Sequence, residues 1–135
     1  MKKAVKIIIG IFAGLLVLAI LTCIYVALVW AGAFNKLMPE TIAEYESPDG
    51  KYTLVYQQLG SPYWPFGPVE IRLKLYNEND KKLYSVDDMV YNDGCSATEY
   101  NIASIEWGED SVSVVLQACE MEDKTVELPY KNKRR

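Results

Sequence analysis

The chain contains no histidine. That removes the usual partner of a nucleophilic Ser or Cys, histidine-ligated zinc and haem, and imidazole acid–base work. The residues left with chemical potential are three cysteines, 18 carboxylates and one aromatic run. Cys95 and Cys119 flank a stretch that reads as a hairpin. If Trp107 pairs near Val112, Cys119 comes close to Tyr100, with Cys95 a few residues back along the incoming loop. A Cys95–Cys119 disulfide is therefore expected, the alternative being two ordinary thiols. Closing about 24 residues would constrain the unfolded chain by roughly 3–3.5 kcal/mol on the loop-entropy model. Thiol catalysis is not expected, because nothing here activates the sulfur.

The carboxylates are scattered over turns and an exposed face rather than paired as glycoside chemistry requires. Asp87, Asp88, Asn92 and Asp93 offer the oxygen ligands that a hard cation takes. Their spacing is not that of an EF-hand loop, and Asx residues at a turn need no metal. Glu120, Glu122 and Asp123 form a second acidic bend of the same kind. Gly-rich phosphate loops, G-x-S-x-G and C-x-x-C are absent. No catalytic residue, metal ligand or cofactor is assigned, and no enzymatic activity is expected.

What remains is contact chemistry. Gly60–Pro68 reads Gly-Ser-Pro-Tyr-Trp-Pro-Phe-Gly-Pro. Three prolines lower the cost of ordering such a loop. Tyr63, Trp64 and Phe66 supply large contact area of the kind found at binding hot spots. Three readings stay open. Trp64 and Phe66 fold over an open end of a sheet as a plug, the loop binds a partner, or it leans on a membrane surface. If it binds, Tyr63, Trp64 and Phe66 are the contact residues.

These residues need elements to hold them. From Ile7 to Phe34 run 28 residues without Asp, Glu, Lys or Arg. About 20 apolar residues cross a bilayer core as a helix. Residues 1–6, with Lys2, Lys3 and Lys6, form a basic flank; 7–34 is the expected transmembrane helix and its lipid contact. Two fates are open, an uncleaved anchor or a leader cut after Ala33. The run far exceeds the roughly 7–15 residues of a signal core, which favours the anchor. A lipoprotein reading of Cys23 lacks the small residue before the cysteine. The positive flank stays cytoplasmic, so the rest of the chain is expected outside a cell membrane that it crosses once. Gly10 and Gly14 form a G-x-x-x-G that permits a weak homodimer.

Residues 35–50 read as a connector, closed by the turn signature Ser47-Pro48-Asp49-Gly50. Residues 51–130 read as the extracytoplasmic β-domain, and 131–135 as a basic tail. Val69, Ile71, Leu73 and Leu75 alternate with Glu70, Arg72 and Lys74, the period of a half-buried strand. Val112, Val114, Leu116 and Ala118 share a face in the same way. Leu83–Tyr91 is a weaker strand, interrupted by Asp87-Asp88. About six strands joined by short turns predict an all-β, antiparallel meander, forming a small β-sandwich or open barrel.

All 18 acids and 11 of the 14 bases lie beyond Phe34, a net of −7. That balance, with no basic–aromatic strip, excludes nucleic acid as a partner. It leaves a solvated acidic surface, or a docking face for a cationic partner.

A basic N-terminus, one span, and Ser-Pro-Asp-Gly-Lys-Tyr at Ser47–Tyr52 opening a β-domain together resemble small uncharacterised membrane-anchored or lipoprotein families of Gram-positive bacteria. The resemblance implies the architecture and brings no functional residue with it. The expected function is a non-enzymatic binding module held on the membrane, its partner a protein or envelope component. The alternative is an acidic inhibitor or immunity protein that neutralises a cationic toxin or enzyme.

Overall fold

The computed structural model describes residues 2–131. Most of the basic tail, Asn132 to Arg135, lies outside the described residues. The chain divides into two compact units, Met1–Phe34 and Asn35–Arg135.

Helix α1, Lys2–Leu37, dominates the first unit. Its stretch Lys2–Trp30 has a mean hydropathy of 3.0 and none of it is buried within the protein. Ile7, Ile8, Ile9 and Val17, spread around the helix axis, are all exposed. A helix apolar all round has no water-facing side, and a bilayer satisfies it because its backbone bonds are internal. The helix is long and apolar enough to cross a membrane.

The second unit has seven strands in two antiparallel sheets. The first sheet is β1 (Glu40–Glu46), β2 (Tyr52–Leu59), β3 (Val69–Asn77) and β4 (Lys82–Val90), in chain order. The second is β5 (Ile102–Trp107), β6 (Ser111–Ala118) and β7 (Met121–Pro129), also in chain order. This is the expected all-β meander, two-layered and not closed into a barrel. The expected hairpin is present, with Trp107 opposite Val112.

Two expectations need correction. Residues 40–46 are not connector but the edge strand β1, paired with β2. A bulge between Thr41 and Ala43 breaks the register, so Ile42 packs on the core out of step with Tyr45. That hides the alternation, while Glu44 and Glu46 give the edge a charged outer side, which discourages strand addition. Asp87-Asp88 does not interrupt β4 either. Asp87 lies opposite Arg72 and accepts two bonds from its guanidinium, at 2.6 and 2.7 Å. Asp88 accepts from Lys124 of β7. Each carboxylate has its own cation, so the strand runs through.

One core joins the sheets. Leu54, Tyr56, Ile71, Leu73 and Leu75 face Val112, Val114, Leu116 and Leu128, all fully buried. Each such aliphatic side chain contributes about 1.5–3 kcal/mol by leaving water. The sheets come closest where β4 meets β7 and β6.

Candidate functional site

Strand register sorts the connections to two ends of this domain. Glu40 pairs with Gln58, and Val69 with Val90. The start of β1, the loop 60–68 and the segment after β4 therefore share one end. The turns 47–51 and 78–81 share the other, since Tyr52 pairs with Asn77, and the turn 108–110 joins them there, Trp107, Gly108 and Glu109 lining one hollow with Ser47, Asp49 and Tyr52.

The aromatic loop at the first end is tightly built. The Tyr63 N–H donates to the Pro68 carbonyl at 2.9 Å, and the Gly67 N–H to the Tyr63 carbonyl at 2.7 Å. The Tyr63 hydroxyl donates to the Glu70 carboxylate. A second turn, at residues 92–95, buttresses it through Gly94 N–H to the Gly67 carbonyl, 3.2 Å. A side chain at either glycine would collide: a Cβ at 67 would lie 2.5 Å from the Tyr63 Cβ, and one at 94 would lie 2.5 Å from the Pro65 carbonyl oxygen.

So held, the rings point outward. Trp64 is 92% exposed, Phe66 70% and Tyr63 46%. Trp64 and Phe66 do not plug the core. That end of the sandwich is sealed by polar side chains instead. Buried Gln58 donates to the Gly60 carbonyl and accepts from the Ala97 N–H, both at 2.7 Å. Buried Asn101 exchanges amide bonds with Asn92 at 2.9 and 3.0 Å and donates to the Gln117 carbonyl at 2.9 Å. With these groups satisfied, the aromatics are left to solvent.

Cys95 and Cys119 are not bonded; both are free and exposed, as is Cys23. The reason is the 92–95 turn. Its closing bond, Cys95 N–H to the Asn92 carbonyl at 3.0 Å, keeps Cys95 with the Gly94 buttress. Cys119 sits instead beside Tyr91, its thiol 3.7 Å from that carbonyl. The hairpin register is the one the sequence implies, but the incoming loop turns away from it.

A shallow groove of about 430 Å³ at the opposite end went unread in the sequence. Tyr52 and Tyr130 stack within it, ring centroids 4.0 Å apart and planes 6° from parallel, and Trp107 adds a third aromatic wall. Burial first, then neighbouring Tyr52 and Asp49, pushes the Tyr130 phenol up. The Ser47 hydroxyl donates to Asp49 at 2.6 Å and, ahead of the Lys51 N–H, holds that carboxyl below its usual range. The signal was present in Ser47–Tyr52, but nothing local ties that turn to Trp107 or Tyr130.

Among the described residues no group of acids and cysteines could hold a metal ion. Gly10 and Gly14 have open space beside them on α1. No family model, curated protein or solved structure matches this chain.

Proposed function

We propose that the chain is a single-pass membrane protein whose β-domain acts, outside the cytoplasm, as a non-enzymatic binding module for an envelope component. Its contact surface is Tyr63, Trp64 and Phe66. The observation that carries this reading is the 92% exposure of Trp64 on a loop closed by the Tyr63–Pro68 and Gly67–Tyr63 backbone bonds and buttressed by the Gly94 N–H. An exposed, preorganised aromatic cluster loses little entropy on binding and gains much apolar contact. Lys2, Lys3 and Lys6 before the span, against Lys36 as the one base among residues 35–50 after it, support an outward β-domain.

A photo-cross-linking amino acid at position 64, introduced in intact cells, tests this. Adducts are expected at 64 and not at a control site such as Glu127 on β7. Equal labelling at the two sites, or none at 64, overturns the proposal.

A further inference from the structure

We propose that the surface engaged by this loop is the bilayer that anchors the chain, with Tyr63, Trp64 and Phe66 seated in its interfacial zone. The inference rests on the membrane-anchored binding reading and names the partner of the same residues.

The first support is register. The chain enters the β-domain at Glu40, opposite Gln58. Two residues later the aromatic loop leaves β2. Met38, Glu40, Gly60 and Ser61 line one hollow there. The point where the chain comes from the helix and the point where the rings project are thus the same end of the domain.

The second support is tether length. Phe34 ends the uncharged run, and only residues 35–39 separate it from Glu40. Even fully extended, such a link spans at most about 20 Å. The tether therefore limits how far Glu40, at the loop's end of the domain, can lie from the end of the uncharged run. Within the domain the opposite end is separated from Glu40 by the length of β2, whose eight residues extend about 26 Å. This holds on whichever side of the membrane the domain lies.

The third support is chemistry. Tyr and Trp rings favour the headgroup level of a bilayer. Gly60–Pro68 carries no acidic or basic residue, although the protein is acidic overall. Asp93, Glu99 and Glu120 lie in the neighbouring turns of this end, so attraction to anionic headgroups is not the driving force. Two or three rings bind lipid weakly alone, but the tether makes the contact intramolecular and raises their effective concentration. Seated this way, the domain turns the groove of Tyr52, Trp107 and Tyr130 away from the membrane.

The test uses the full chain in phosphatidylcholine vesicles. Trp30→Phe and Trp107→Phe leave Trp64 as the sole tryptophan. Its emission is expected to shift to the blue, to lose intensity with lipids brominated near the headgroup, and to resist aqueous acrylamide. Added salt should change none of this. Emission typical of water, quenched by acrylamide and untouched by brominated lipid, overturns the proposal. So does a Trp64 shielded from both quenchers, which means protein covers it. Should the double variant fail to fold, a nitroxide on Phe66→Cys, with the native cysteines changed to Ser, reads the same contact. Collision with oxygen exceeding that with a water-soluble nickel chelate supports lipid; the reverse overturns it. Protein adducts at position 64 in cells, alongside a water-exposed Trp64 in vesicles, would sink the lipid contact and leave the binding-loop reading standing.

Discussion

Lys124 of β7 brings its ammonium to 2.6 Å from the carboxylate of Asp88 on β4, and so ties the two sheets where they approach most closely. The Asp88 side chain is only 16% exposed, while Lys124 is half in water. Removing the lysine leaves a largely covered carboxylate with the Met89 N–H as its remaining donor among the described residues; removing the acid frees a cation that water can solvate. Lys124→Met should therefore cost more than Asp88→Asn, about 1–3 kcal/mol against about 1 kcal/mol. Denaturant unfolding of the two variants and of the double variant checks both the order and the coupling.

Acid should act through two other carboxylates. Asp87 is held below the usual carboxylate range by its hydrogen bonds from Arg72, and Asp49 by the Ser47 hydroxyl. Their folded pKa values are depressed. Their contribution is complete above the unfolded value of about 3.9 and is lost as pH falls through the folded values. The wild-type midpoint in denaturant should fall as pH drops from about 5 to 2. In Asp87→Asn that fall should be shallower, with lower stability at neutral pH.

Alkali should act through Tyr56. Its phenol is fully buried, and its hydroxyl has no partner among the described residues. Burial, then the nearby Tyr45, pushes it well above the ordinary tyrosine value. The neutral form is favoured in the fold, so stability is full below the unfolded value of about 10 and is lost as pH rises above it. Tyr56→Phe should leave stability at pH 7 unchanged or raise it by up to about 1 kcal/mol, since no hydrogen bond is given up. It should also flatten the alkaline limb of the stability profile.

These contacts show where sequence reading reaches and where it stops. β3 was legible because Val69, Ile71, Leu73 and Leu75 alternate without a break, and the Trp107–Val112 hairpin because its turn residues lie between two apolar runs. β1 was not, because one bulged residue shifts Ile42 out of phase and three glutamates mask the rest. The identity of the aromatic loop was local information. Its exposure was not, since that depends on Gln58, Asn92 and Asn101 closing the end of the core with bonds to Gly60, Ala97 and Gln117. The distal groove needed Tyr130 stacked on Tyr52 across the whole length of the domain in sequence.

The free cysteines give a measurement of orientation. Cys95 and Cys119 are exposed and unbonded. A membrane-impermeant maleimide should label both on intact cells without reductant, and prior reduction should not raise the yield. A yield that appears only after reduction restores the disulfide; a yield that appears only after lysis reverses the assignment of sides.

The aromatic loop should depend on residues that never touch its target. Gly94 has a φ of +75° and its amide supports Gly67, so an added Cβ meets both backbone strain and the Pro65 carbonyl. Gly94→Ala should cost about 1–3 kcal/mol, with the damage confined to the loop and its buttress. The β-sheet signal in circular dichroism should survive. Contacts at Trp64, read by cross-linking or lipid quenching, should weaken although all three rings are still present. Trp64→Ala should show the converse, losing the contact with little change in stability, because a side chain that is 92% exposed buries almost nothing in the fold. If Gly94→Ala left the Trp64 contact at full strength, preorganisation of the loop would not contribute to binding, and the rings alone would account for it.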